Sequence, residues 1–308
     1  MRHYILTILL FIFAFSFGQE KTYSEDEISI SKWIDGTLLT PNESEKPTLV
    51  IIIAGSGPTN RNGNQNFQKN NSLKKLAESL TNNGIATFRY DKRIVKQIRK
   101  GKVDKNLKFD DFVNDASDVI SYFKKNDDYS KIYILGHSQG SLVGMLAVKD
   151  EADGFISLAG AGQNIGDVIV TQVTNMAPQL GEEAKKIVDK LKQGETVTDY
   201  PNALASVFNT DIQHFMINWM QYNPTEIIET LKTPILIING TKDLQVSENE
   251  AKLLKAANDK AQLKIIENMN HVLFEIKGDD LENSKSYNES FRPISSELID
   301  TIIQFIDN

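Results

Sequence analysis

Six short apolar runs recur along the chain, at Leu49–Ile53, Ile85–Tyr90, Lys131–Leu135, Gly154–Ala159, Pro234–Asn239 and Gln262–Glu267. Runs of this length read as strands buried on both faces. Upstream, Ile28–Ile34 and Gly36–Thr40 alternate apolar with polar residues, which predicts two outer strands joined by a tight turn at Asp35 and Gly36.

Between the runs the hydrophobic period becomes helical. Ser72 is placed as N-cap of a helix that carries Leu73, Leu76, Ala77 and Leu80 on one stripe and stops before Gly84. A second helix puts Phe109, Phe112, Val113, Ala116, Val119, Ile120 and Phe123 on one face, with Asp110 and Asp111 at the positive end of its dipole. Further helices follow Ser138, cover Glu248–Asn258, and close the chain with Ile294, Leu298, Ile299, Ile302 and Ile306. Strands alternating with helices mean an α/β fold with a mostly parallel sheet covered on both faces. Gly162–Leu231 breaks that rhythm with helix-like pieces at Ile165–Met176, Glu182–Lys192 and Ala203–Met220 and no buried strand. It reads as a helical insertion between two sheet strands. Within it, Val207, Phe208, Phe215, Met216, Trp219 and Met220 either pack as a helix face or line an apolar pocket.

Composition narrows the chemistry more than the fold. At 308 residues, 40% apolar and 24% charged, the chain can bury an ordinary core. A net charge of −7 argues against nucleic acid and acidic membrane surfaces as partners. The absence of cysteine removes disulfides, thiolate metal sites and any thiol nucleophile. At the start, Arg2, the apolar stretch Tyr4–Phe17, and small residues at Ser16 and Gly18 predict a secretory signal over 1–18, cut before Gln19. That implies a periplasmic or secreted protein with no membrane contact after cleavage. The rival reading, an uncleaved anchor, needs about 18 to 20 apolar residues.

The most specific motif is Gly136-His137-Ser138-Gln139-Gly140, set between an apolar strand and a helix. This is the context of a nucleophile elbow, in which Gly136 and Gly140 let strand and helix approach around a strained serine. A serine hydroxyl needs a base, and the chain has four histidines. His3 leaves with the signal, His137 is adjacent to Ser138 on a turn whose neighbouring side chains diverge, and His214 lies among aromatics that suggest a core or substrate-lining place. His271, just after the last strand, remains. Asp243, directly after the strand Pro234–Asn239, is the candidate carboxylate for orienting the imidazole. The order Ser138, Asp243, His271 is that of the hydrolase elbow. Donors for a developing oxyanion are expected from the backbone N–H of Gln139 and from the loop Ala54-Gly55-Ser56-Gly57-Pro58, at Ser56 or Gly57. That glycine pair lacks the Gly-Lys-Ser/Thr ending of a phosphate-cradling loop.

Together with Gly55-Ser56-Gly57-Pro58, Arg61 and Gly63, Phe88-Arg89-Tyr90-Asp91-Lys92-Arg93, Gly240-Thr241-Lys242-Asp243 with Val246, and Asn270-His271, this chain resembles the serine-type α/β-hydrolase superfamily, within it the bacterial esterase group related to serine aminopeptidase-like hydrolases. The resemblance implies an eight-stranded sheet with a helical cap inserted after the sixth strand: core 19–161 and 232–308, cap 162–231. Ala54 stands where many relatives have histidine, Ile94-Val95 where they often have glycine and a small residue, and Asn60 and Asn62 where similar proteins carry aspartates. The expected activity is hydrolysis of carboxylic esters of small substrates through an acyl-enzyme, with no cofactor or metal. An exopeptidase or amidase with the same triad, or a binding protein on this scaffold, are the alternatives.

Overall fold

The computed structural model describes residues 22–148 and 151–308, so the predicted signal lies outside it. Eight strands occur among the described residues: β1 (Tyr23–Ser29), β2 (Asp35–Pro41), β3 (Leu49–Ile53), β4 (Ala86–Tyr90), β5 (Ile132–His137), β6 (Gly154–Leu158), β7 (Ile235–Gly240) and β8 (Gln262–Ile266). They form one sheet in the order β1-β2-β4-β3-β5-β6-β7-β8. β2 is antiparallel to β1 and β4, and all other pairings are parallel. The α/β-hydrolase fold expected from the sequence is the fold observed.

Helices α1 (Ser72–Asn82), α2 (Arg93–Arg99), α3 (Phe109–Lys124) and α4 (Gln139–Val148) cross between the first strands. The chain between β6 and β7 carries α5 (Ile165–Met176), α6 (Gly181–Lys192), α7 (Ala205–Phe208), α8 (Thr210–Trp219) and α9 (Pro224–Thr230), with short 3-10 turns and no strand. α10 (Glu248–Ala257), α11 (Asp280–Ser286) and α12 (Ser296–Asp307) complete the chain. β3 shows how the two faces are built. Leu49, Ile51 and Ile53 join Phe109, Val119 and Phe123 of α3, while Val50 and Ile52 join Leu73 and Leu76 of α1 and Leu298 and Ile302 of α12. Side chains alternate across a strand, so an all-apolar run feeds both cores. Each such side chain, fully buried, contributes about 1.5–3 kcal/mol.

After β3 the chain goes to β4 on one side, then returns to β5 on the other. The carboxyl ends of β3 and β5 therefore flank a topological switch, the place where open α/β sheets bind ligands. α8 closes over this end by docking on α3. Trp219 stacks on Phe109 with centroids 5.4 Å apart, and Phe215 packs on Phe112 at 5.5 Å. Asp110 of α3 accepts hydrogen bonds from the Asn218 amide at 3.0 Å and the Tyr222 hydroxyl at 2.5 Å.

Several local expectations are corrected. The hairpin exists, but its first strand ends at Ser29 and the turn lies at 30–34, where the Ile30 N–H bonds the Ile34 carbonyl at 2.9 Å. Asp35 and Gly36 belong to β2. A Cβ on Gly36 would lie 2.2 Å from Phe88 Cζ, so packing, not a turn, requires glycine there. Ser72 is the first residue of α1, its N–H held by Asn70 Oδ1 at 2.9 Å, and is not the N-cap. Ile94 and Val95 lie in α2, a helix the sequence pattern did not announce. His214 is exposed, which removes it from the core. Phe208, Met216 and Met220 are core, and of the six insertion residues only Trp219 lines a cavity beside Ser138.

Candidate active site

The elbow is made by close packing. A Cβ on Gly136 would lie 2.2 Å from the Gly140 carbonyl oxygen, and one on Gly140 would lie 2.3 Å from that of Ile53. With both glycines, strand β5 turns into α4 at Ser138, whose φ of 54° is in the left-handed region that non-glycine residues rarely adopt. Such a backbone costs of order 1–3 kcal/mol and must be held by its surroundings. Here the Ser138 N–H bonds the Leu158 carbonyl at 2.9 Å, and its own carbonyl accepts the Ser141 N–H at 2.9 Å.

Two loops bring the other predicted residues together. Asp243 follows β7, and its buried carboxylate accepts His271 Nδ1 on Oδ2 at 2.8 Å. Its Oδ1 accepts the backbone N–H groups of Gln245 and Val246, both at 2.8 Å. His271 sits on the loop after β8, fixed by buried Asn270. The Asn270 Oδ1 accepts the Phe274 N–H at 2.9 Å, and its Nδ2 donates to Asn283 Oδ1 at 2.9 Å and Ser286 Oγ at 2.8 Å. Ser138, Ser56 and His271 line one cavity of about 330 Å³. Ser138, Ser56 and Gln139 line a second of about 230 Å³ on the side of the helical insertion.

The loop after β3 lies against the elbow: a Cβ on Gly55 would sit 3.1 Å from Ser138 Cβ. Lys92, almost fully buried, donates from Nζ to the Gly55 carbonyl and, at 3.3 Å, to Gln139 Oε1. The Gly55 carbonyl and the Ser56 N–H belong to one peptide unit, and in a trans peptide they point opposite ways. By holding the carbonyl, Lys92 aims that N–H away from itself. Burial pulls the Lys92 ammonium down to about 7, and its Nζ lies 5.1 Å from the Phe112 ring centroid. The next peptide is held as well, since the Ser56 carbonyl accepts Thr59 Oγ1 at 2.6 Å and Gln65 Nε2 at 3.2 Å.

His137 has a larger part than its sequence position suggested. Its side chain packs on the His271 ring with centroids 4.9 Å apart, and its Nε2 donates to the His271 backbone carbonyl at 2.9 Å. A carbonyl can only accept, so Nε2 carries the proton. Burial first, then the neighbouring His271, pushes His137 down to about 3, which keeps it neutral. Sequence reasoning missed Lys92, His137 and Asn270 as supports. Lys92 stands in the Asp91-Lys92-Arg93 stretch and Asn270 beside His271, but neither position states what the side chain reaches. Among the described residues no group of three or more histidines, aspartates and glutamates is placed to hold a metal.

Three comparisons bear on this arrangement. The profile of the family described as serine aminopeptidase, S33, matches residues 68–276. Esterase EstD of Thermotoga maritima is 27% identical over 269 residues, 84% of this chain, and the chain spans 62% of that relative's length. Among solved structures, Est1E from Butyrivibrio proteoclasticus superposes with a TM-score of 0.58 at 18% identity, covering 92% of this chain and 99% of that one. The Pyrococcus furiosus esterase Pf2001 gives 0.55 at 14% identity, covering 94% and 91%.

Proposed function

The chain belongs to the serine aminopeptidase S33 family of α/β-hydrolases, and we propose that it is an esterase cleaving carboxylic esters of small substrates through an acyl-enzyme on Ser138. In this reading His271 Nε2 takes the Ser138 Oγ proton as the hydroxyl attacks the ester carbonyl. Asp243 keeps the proton of His271 on Nδ1 and stabilises the imidazolium. The backbone N–H groups of Gln139 and Ser56 receive the oxyanion, where one donor is worth about 2.7–4 kcal/mol. His271 then gives its proton to the leaving alkoxide, and the same base activates water to release the acid.

The observation that carries an ester, rather than a peptide terminus, is the lining of the two cavities beside Ser138. Among the described residues that form them there is no aspartate or glutamate. A substrate's free α-ammonium would be desolvated there without a counter-charge. A fluorophosphonate probe followed by intact-mass analysis tests the nucleophile: one adduct is expected on the native protein and none on Ser138→Ala. No adduct on the native protein, or one surviving that substitution, sinks the mechanism. p-Nitrophenyl butyrate should then be turned over faster than alanine p-nitroanilide, and the reverse order would make the protein an aminopeptidase. The apolar stretch over 4–17 supports export, which N-terminal sequencing of the mature protein, expected to begin at Gln19, checks.

A further inference from the structure

The two cavities meet at Ser138 but differ in how their polar groups are used. In the smaller one, Leu142, Ile165, Val168 and Trp219 supply apolar wall, and three of its four glutamines are engaged inside the protein, the fourth, Gln245, bordering both cavities. Gln139 is tied to Lys92 at 3.3 Å, Gln163 Nε2 to Glu250 at 2.5 Å, and Gln172 Nε2 to the Gln245 carbonyl at 3.3 Å. The larger cavity is lined by Gln65, Gln68, Gln245 and Tyr287, with the two histidines as its sole titratable nitrogen groups and with Asn70 bonded inside the protein through both side-chain atoms, to the Ser72 N–H at 2.9 Å and the Tyr287 carbonyl at 3.3 Å. Here the Tyr287 hydroxyl is buried and makes no hydrogen bond of good geometry, with the Gln245 side chain as its polar neighbour. Burial pushes that phenol up to about 12, so it remains a donor at neutral pH. Gln65 donates its Nε2 inward, at 2.8 Å to Thr59, while its Oε1 accepts no bond among the described residues.

Which cavity takes which half of an ester follows from the proton. His271 must protonate the leaving alkoxide, so the alcohol departs on the side His271 lines, the larger cavity. The acyl group then lies in the smaller, apolar one, beside Gln139.

We propose that the leaving alcohol is an uncharged, polyhydroxylated group of sugar type, so that the substrates are sugars esterified with short apolar acids. The inference rests on the esterase reading and names its substrate class. An apolar alcohol would close the larger cavity over the Gln65 Oε1, the Gln68 amide and the Tyr287 phenol, at about 1–3 kcal/mol for each group stranded. A charged alcohol would find no counter-charge on those walls. A ring bearing several hydroxyls offers donors and acceptors in close succession to Gln65 Oε1, Gln68, Gln245 and the Tyr287 hydroxyl.

The test compares two esters with one acyl group, methyl 6-O-butyryl-glucopyranoside and ethyl butyrate. Both pass through the same butyryl-enzyme, so kcat/KM isolates acylation and hence the alcohol. The sugar ester is expected to have the higher kcat/KM, by about 10-fold or more. Tyr287→Phe and Gln68→Leu, each checked for a native circular-dichroism spectrum, should each narrow that ratio several-fold. An equal or higher kcat/KM for ethyl butyrate overturns the alcohol assignment and leaves the esterase reading standing. No turnover of either ester overturns both. A ratio that survives both substitutions overturns the assignment of the preference to this cavity.

Discussion

The two flanks of Ser138 are held by different means. On the acid–base flank, the Asp243 carboxylate is locked by the N–H groups of Gln245 and Val246, two and three residues along the same turn, and His271 by Asn270 beside it. On the flank assigned to the oxyanion, the Gly55 peptide is held by Lys92 and the elbow residue Gln139 by the same ammonium, contacts 37 and 47 residues apart in the chain. The first flank is built from local turns with redundant bonds. The second depends on one buried side chain. Damage to the first should act on proton transfer alone, whereas damage to the second should misplace donors while leaving the acid–base pair intact.

Ser138→Ala removes what both flanks serve, and kcat for p-nitrophenyl butyrate should fall by about 10⁴-fold or more. Asp243→Asn breaks only the acid–base flank. Oδ1 is occupied by two backbone donors, so the asparagine oxygen will stay there and its NH₂ will face His271 Nδ1. That donor forces the imidazole proton onto Nε2, toward Ser138, and makes it a poor base. A loss of about 10³- to 10⁴-fold in kcat is expected, with fluorophosphonate labelling slowed in parallel. Retention of a tenth of the wild-type rate would contradict the assignment of Asp243.

Lys92→Met is the corresponding break on the other flank. The methionine fills much of the same volume beside Phe112 but holds neither Gly55 nor Gln139. kcat should fall by about 100-fold, less than for Asp243→Asn, because the donors become misaimed but are not removed. Stability should move the other way. The Lys92 pKa is near 7 in the folded protein and 10.5 when free, so the unfolded state binds more protons between those values. Wild type therefore gains stability as pH rises from 7 to 10.5, and the advantage of Lys92→Met is largest at or below pH 7 and shrinks through that window. A variant both slower and more stable at pH 7 would mark a lysine kept for the site. Equal activity at pH 7, measured by steady-state turnover, would remove Lys92 from the oxyanion flank.

The contrast between the flanks is also a contrast in what the sequence could reveal. Apolar runs fixed β3, β5 and β7 to within two residues, because a strand buried on both faces leaves no polar interruption. Ser138 and Asp243 stood out as candidates because each follows such a strand, and His271 because it follows the last one, although β8 proves to be a half-exposed edge strand and not one buried on both faces as expected. Lys92 was quoted within a motif, but its role arises from β4 lying beside β3, a pairing that brings its ammonium under Gly55. Local pattern cannot carry that information. The hairpin was misplaced for a related reason: Ile34 is fully buried without being in a strand, so alternation alone put the strand too late. Gly36 looked like a turn residue, and the distant Phe88 decided otherwise.

His137 joins the two flanks, and the smallest predicted effect concerns it. Its Nε2 holds the His271 backbone, while its Nδ1 lies 3.3 Å from where a Cβ of Gly55 would be. Protonation would place a charge in a buried site that offers no carboxylate to this ring, since Asp243 is committed to His271. The folded pKa near 3 lies below the free value of 6.5, so the unfolded state binds the extra proton between them. Stability from this group is fully present above pH 6.5 and is lost as pH falls toward 3. Between pH 7 and pH 5 the loss should be about 2 kcal/mol. His137→Gln keeps a donor for the His271 carbonyl and abolishes the titration. Urea unfolding at both pH values should therefore show the wild type losing about 2 kcal/mol more than the variant on acidification. Equal losses in the two proteins would mean that His137 accepts its proton without unfolding, and that the seam between the flanks is wetter than the packing of the two imidazoles implies.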